Sequence, residues 1–172
     1  MPEAVAGCSP GPGLTQLQPL PPSTYPAYLA AAVVAYAQDK VDAGHWPAAT
    51  APQRARDEFA AHLPLGLATP QHHLFQVLQS SSGPVVGWLW LALENTASHG
   101  GDCSGFVYDL RISPEHRRQG HAGRALQAVE PLARALGAKS LGLHVFAHNP
   151  AALALYRQQG YCVSSLNLHK HW

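Results

Sequence analysis

This 172-residue chain has no run that approaches the roughly 20 consecutive apolar residues of a membrane-spanning helix. The longest apolar stretch in its first half, Leu29 to Ala37, is rich in alanine and carries Tyr36 near its end. An excess of one charge is missing as well: 11 Lys and Arg stand against 10 Asp and Glu, for a net +1 with neutral histidines. A duplex-binding protein needs Lys and Arg clustered over many phosphates, so no nucleic-acid partner and no membrane partner is expected. The three cysteines, Cys8, Cys103 and Cys162, are an odd number without CxxC spacing, which argues for neither a disulfide framework nor a zinc knuckle. A reducing cytoplasm is the expected compartment. The VAGC at Val5 to Cys8 has the form of a lipoprotein cleavage box, yet the residues before it hold no charged region and no apolar helix. No internal repeat divides the chain.

What remains is a chain long enough to bury roughly two thirds of its unfolded surface without a metal or disulfide staple. Residues 1–13, with Pro2, Pro10, Pro12 and three glycines, offer almost no large apolar side chain and read as a flexible tail. Residues 14–172 read as one domain. A short strand is expected over Leu14 to Leu20, stopped by Pro-Pro-Ser, with Ser23 capping the helix that follows. That helix carries Tyr25, Tyr28, Leu29, Ala32, Val33, Tyr36 and Val41 on a 3.6-residue stripe and ends at Gly44. A second helix, from Thr50 with Pro52 in its first turn, turns Ala55, Phe59 and Leu63 inward before Pro64 and Gly66. Trp46, between the two, either staples them together or lines a pocket.

From His73 the period changes. LFQVLQ, a Ser-Ser-Ser-Gly turn at residues 80–83 and VVGWLWLALE from Val85 to Glu94 form an antiparallel hairpin. A polar loop from Asn95 to Gly105 leads to a third strand, Phe106 to Ile112. A helix to Leu136, a strand from Ser140 to Phe146, a helix from Pro150 to Gln159 and a last strand from Tyr161 to Leu168 complete the pattern. Strand, helix, strand at that spacing is a parallel crossover joined to an antiparallel sheet. The class is α/β.

The chemistry concentrates in VYDLRISPEHRRQGHAG, from Val107 to Gly123, where a strand breaks at proline and passes through a basic, glycine-bearing loop into an amphipathic helix. Free N–H groups at that helix start, with the positive end of its dipole, make an anion site over Gly120, where a Cβ would keep the backbone from closing on a phosphate. The basic residues Arg111, Arg117, Arg118 and Arg124 cluster around it; each has a solvated surface as its plain alternative.

These segments, with SLGLHVFAHNPAALALYRQQGY after them, resemble the GNAT N-acetyltransferases. The resemblance follows the order of elements over most of the chain, and its specific motifs lie in residues 106–161. It implies a mixed, partly splayed β-sheet flanked by α-helices, with acetyl-CoA as co-substrate. Arg117-Arg118-Gln119-Gly120-His121-Ala122 satisfies the family's pyrophosphate loop, Arg/Gln-x-x-Gly-x-Gly/Ala, while His121 and the Ala122-Gly123 pair depart mildly from the common pattern. Leu110, Arg111 and Ile112 stand where the family's strand offers backbone groups to the pantetheine arm. Asn149 matches the asparagine that bonds pantetheine, and before Pro150 it also serves as a helix N-cap. Tyr156 matches the tyrosine that protonates the departing thiolate; a buried core tyrosine is the plain alternative.

The general base stays open among Glu94, Asp109 and His144, with ordered water as a further route. Strand alternation sets Tyr108, Leu110 and Ile112 on one face and Asp109 and Arg111 on the other, so an Asp109–Arg111 surface contact is equally expected. His144 and His148 lie four apart, but on a strand running into a loop that spacing gives no common face, and no metal is expected. The reading is an acetyl-CoA-dependent N-acetyltransferase acting on a primary amine, with a small-molecule acceptor held by Glu94 or Asp109; a homodimer is left open. A non-catalytic acyl-CoA-binding sensor is the alternative. A nucleotide-binding regulator would want Lys-Ser/Thr after the glycine, where this chain has His-Ala-Gly.

Overall fold

The structure is a computed structural model and describes residues 15–95, 102–168 and 170. The expected tail at 1–13, Leu14 and most of the 95–105 loop lie outside the described residues. Among the described residues nine regular elements run β1 (Gln16–Pro19), α1 (Tyr25–Asp42), α2 (Ala51–His62), β2 (His72–Leu78), β3 (Val85–Asn95), β4 (Cys103–Ile112), α3 (His121–Ala135), β5 (Ser140–Leu143) and α4 (Pro150–Gln158). Among the described residues no helix is long and apolar enough to cross a membrane.

The strands form one sheet in chain order, antiparallel from β1 to β4, with β5 parallel to β4. The alternation in β2 and β3 gives the sheet two apolar faces. One packs Leu74 and Trp90 against Tyr28, Ala32 and Val33 of α1 and Ala55 and Phe59 of α2; the other packs Val77, Leu89, Leu91 and Val107 against Ala125, Val129 and Ala133 of α3. The expected inward stripes are therefore the observed ones. Trp46 sits edge-on to Tyr36, ring centroids 5.6 Å apart, on the α1–α2 core, so it staples the helices.

Four local expectations need correction. α1 is entered from Thr24, not Ser23: Pro26 occupies the first turn, and the Thr24 hydroxyl donates back to the Pro21 carbonyl at 2.8 Å instead of capping a helix N–H. β4 starts at Cys103, ahead of Phe106, because Cys103 to Gly105 pair with Leu93 to Asn95. β5 stops at Leu143, leaving His144 to Phe146 in the following loop. The alternation from Tyr161 to Leu168 yields no strand, since it finds no ladder partner there, and Leu166 and Leu168 are exposed.

β3 and β4 approach closely near the end of β4. Gly87 pairs with Ile112, and a Cβ on Gly87 would lie 2.1 Å from the Arg111 carbonyl oxygen, a backbone atom that no rotamer change can move. Gly87→Ala should therefore force the strands apart and cost roughly 1–3 kcal/mol, read as a lower urea midpoint. An unshifted midpoint would show that the strands yield freely.

Candidate active site

β4 carries the site. Its pairing with β3 shifts register between Trp90 and Leu91: Trp90 stands opposite Asp109 and Leu91 opposite Val107, so Tyr108 is the extra residue of a β-bulge. The bulge overturns the simple alternation. Val107, Leu110 and Ile112 pack with the α3 face, while Tyr108 joins the α1–α2 face. Asp109 follows it there, taking a hydrogen bond from the Tyr28 hydroxyl of α1 at 3.4 Å.

On its other side β4 pairs with β5 only from Ser104 to Val107, opposite Ser140 to Leu143. Beyond that point the two parallel strands part, and the edge of β4 from Tyr108 to Ile112 has no strand opposite it among the described residues. Of the three expected residues, Leu110 and Ile112 thus turn backbone groups toward a gap that a β-ladder would otherwise fill, whereas the Arg111 carbonyl faces Gly87 of β3, because successive strand residues direct their backbone groups to opposite edges.

The basic loop lies past the end of β4. Arg117 donates its Nε–H to the Ile112 carbonyl at 3.0 Å, tying the loop to the strand. Arg118 and Gly120 both have left-handed backbone, φ 62° and φ 81°, and Gly120 is the N-cap of α3. The turn brings the chain into α3 with the N–H groups of His121, Ala122 and Gly123 as first-turn donors without a preceding helical carbonyl. Gln119 donates back to the Glu115 carbonyl at 3.2 Å. Arg124 arches over the turn: its Nη2 donates to the Gln119 carbonyl at 2.7 Å, and its Nη1 would lie 2.6 Å from a Cβ on Gly120. A cradle of outward N–H groups, bare at Gly120 and roofed by a guanidinium, fits a diphosphate.

His121 offers the turn its backbone N–H, while its side chain is buried. Its ring is 4 % exposed and turned inward, with Nδ1 2.9 Å from Thr15 Oγ1 and 3.2 Å from Arg124 Nη2. Burial, then the Arg124 charge, then His116 hold its pKa below the usual imidazole value. A neutral ring whose Nδ1 accepts is the consequence, and since Arg124 Nε also donates to Thr15 at 2.9 Å, the triad locks the loop to the start of β1. The departure at Gly123 has a packing reason: it is buried, and a Cβ there would come 3.3 Å from Gln159 and 3.5 Å from Leu155 of α4.

α4 begins as expected. Asn149 accepts the Ala152 N–H at 3.1 Å through its side chain, with Pro150 at the first helical position. Tyr156, half-buried on α4, is edge-on to Tyr161 at 5.9 Å, and its phenol is pushed up by burial and then by the negative charge of Asp109. Tyr156 and Asp109 therefore stand close enough to feel each other.

The acids sort into two groups. Asp109, 13 % exposed in its side chain, lies 3.8 Å from Arg111; burial raises its pKa, partly offset by Arg111 and by the Tyr28 hydrogen bond. Asp39 of α1 joins it: burial raises its pKa against the attraction of Arg111. Glu94 is not at the gap. Its backbone is level with Ser104, at the paired end of β4 and β5, and its carboxylate accepts the Tyr108 hydroxyl at 2.8 Å. His144 lies in the loop after β5 against Phe146, with ring centroids 4.9 Å apart; burial, Lys40 and His45 keep its pKa low. His148 stacks on the same ring at 5.4 Å. Among the described residues no group of three or more His, Cys, Asp or Glu side chains is placed to hold a metal ion.

A mixed sheet that opens between two parallel strands, beside a glycine-entered helix start, is the architecture of an acyltransferase. The chain belongs to the acetyltransferase (GNAT) family, whose profile matches residues 30–161. It is 38 % identical over 145 residues to the uncharacterized N-acetyltransferase YycN of Bacillus subtilis strain 168, covering 84 % of this chain and 90 % of that one. The uncharacterized N-acetyltransferase YdgE of the same organism is 28 % identical over 154 residues, covering 90 % and 96 %. The crystal structure of YycN superposes with a TM-score of 0.84, at 34 % identity over 92 % of this chain and 98 % of that one.

Proposed function

We propose that the protein binds acetyl-CoA with its pyrophosphate over residues 118–123 and transfers the acetyl group to a primary amine by direct attack. The observation that carries this reading is the parting of β4 from β5 after Val107 and Leu143, directly beside the N-terminus of α3. Acetyl-CoA supplies an acetyl thioester. The N–H groups of His121, Ala122 and Gly123, with Arg117, Arg118, Gln119 and Arg124, hold the diphosphate. Backbone groups of Leu110 and Ile112 orient the pantetheine arm, joined by Asn149. An N–H near Leu110 donates to the carbonyl oxygen as charge grows on it. Tyr156, kept protonated by its raised pKa, delivers its hydroxyl proton to the leaving sulfur. Asp109, whose raised pKa makes it a stronger base than an exposed carboxylate, takes the proton from the amine. The compartment is a reducing cytoplasm, where Cys103 and Cys162 remain free thiols.

Thiol release with acetyl-CoA and a panel of small amines tests the reading. At subsaturating amine the rate should climb by about tenfold per pH unit from pH 6 toward 9, because only the neutral amine attacks and an alkylammonium has a pKa of about 10.4. The sign follows from both groups: lowering the pH protonates the amine and neutralises Asp109. Asp109→Asn should lose more activity than Glu94→Gln. Thiol release absent with every amine while acetyl-CoA still binds would favour a sensor, and release that is flat with pH would overturn attack by the neutral amine.

A further inference from the structure

A cavity of about 70 Å³ opens between α1, α2 and the bulged face of β3 and β4, lined by Tyr36, Glu58, Phe59, His62, Trp90 and Tyr108. The mechanism above leaves it unused. Its lining is mostly aromatic: Trp90 and Tyr108 stack at 4.8 Å, His62 lies 4.8 Å from Tyr108, and Phe59 lies 5.5 Å from Trp90. Aromatic faces carry the negative lobe of the ring quadrupole and attract cations.

Two carboxylates add charge of the same sign. Glu58 Oε2 accepts the Tyr36 hydroxyl at 2.6 Å, and Glu94 Oε1 accepts the Tyr108 hydroxyl at 2.8 Å. Both donors are neutral phenols held in the protonated form by burial, the Tyr108 phenol pushed up to about 12, so neither bond cancels a carboxylate charge. Behind the wall His72 accepts from Trp90 Nε1 at 3.0 Å, which leaves its Nδ1 unprotonated. Burial and the neighbouring His62 keep His72 neutral. A cavity lined by aromatic rings and the Glu58 carboxylate, with Glu94 bonded to the hydroxyl of the lining Tyr108, complements a compact cation.

That cation is not the reacting nitrogen. A site that stabilises ammonium holds the amine in the form without a lone pair, which cannot attack a thioester. The cavity and the proposed base are neighbours on β4 without coinciding: Tyr108 lines the cavity, whereas Asp109 bonds Tyr28 and lies beside Arg111. We propose that the cavity binds a second, non-reacting cationic group of the acceptor, so that the acceptor class is an alkyl diamine or an alkylamine bearing a quaternary ammonium. The inference rests on the acetyl transfer proposed above.

The experiment has two arms. In the first, alkyl monoamines, amino alcohols and diamines of matched length are compared by kcat/KM in thiol release, for the parent and for Glu58→Gln, which preserves the side-chain shape. In the second, tetramethylammonium, which cannot be acetylated, is titrated onto both proteins and followed by ligand-observed NMR. Diamines should exceed matched monoamines and amino alcohols by about tenfold or more, and Glu58→Gln should erase most of that preference and weaken tetramethylammonium by a similar factor. Monoamines and diamines used equally well by the parent, or a diamine preference and tetramethylammonium affinity retained in Glu58→Gln, would overturn the cation site and leave acetyl transfer standing. Tetramethylammonium bound through Glu58 in a protein that acetylates no amine would support the site and overturn the transferase reading.

Discussion

Calorimetry on Gly120→Glu should show acetyl-CoA binding abolished, the largest effect expected of any single change. Three consequences of the substitution add. Gly120 has φ 81°, and a side-chain-bearing residue held in left-handed backbone costs roughly 1–2 kcal/mol. Its new Cβ would meet Arg124 Nη1 at 2.6 Å, displacing the guanidinium that roofs the turn. The carboxylate would then sit at the mouth of the α3 N-terminus, where it pairs with Arg124 and repels the diphosphate. Gly120→Ala separates the terms, since it brings the strain and the contact without the charge; it should weaken binding and not abolish it. Circular dichroism and a urea titration on the glutamate variant check that α3 has formed. Dephospho-CoA, titrated beside acetyl-CoA, shows which phosphates the turn reads. A glutamate variant that binds acetyl-CoA as the parent does would remove the diphosphate from this loop.

Tyr156→Phe should lower kcat by about 10²-fold or more while leaving acetyl-CoA affinity nearly unchanged, the pattern for losing a proton donor used only in the chemical step. Burial and the Asp109 charge keep the phenol protonated, so the donor is present across the working pH range. Phe preserves the ring that packs edge-on against Tyr161, which limits the change to the hydroxyl. The unfolding midpoint should move little. Full turnover in the phenylalanine variant would return Tyr156 to a packing role.

Local chemistry made much of this molecule legible in the sequence. The period of 3.6 in residues 25–42 and the period of 2 in residues 72–95 follow from side-chain direction alone, so α1 and the β2–β3 hairpin could be read before any contact was known. Gly120 at the turn and Asn149 before Pro150 are likewise decided within a few residues, because backbone conformation and capping are local. The misses are non-local. Tyr161 to Leu168 alternates as a strand does, but a strand exists only when another edge accepts its hydrogen bonds. The Thr15–His121–Arg124 lock joins residues more than 100 positions apart. Tyr36, Glu58, His62 and Trp90 come from three elements, and no spacing in the chain announces their meeting.

The sequence by itself determined the α/β class, the order of elements as far as α4 and the glycine-entered helix start at Gly120, since each depends on periodicity, proline and glycine placement and a helix start. Tertiary structure alone decided where the chemistry can occur. The bulge at Tyr108 arises from the register of β4 against β3, and that single extra residue moves Tyr108 off the face of Leu110 and Ile112. The same register sets Asp109 beneath Tyr28 and Arg111, and leaves Glu94 at the paired end of β4 and β5. Which carboxylate stands on the unpaired stretch of β4 and which at its paired end is a property of strand pairing, and pairing is a relation between segments that neither segment contains.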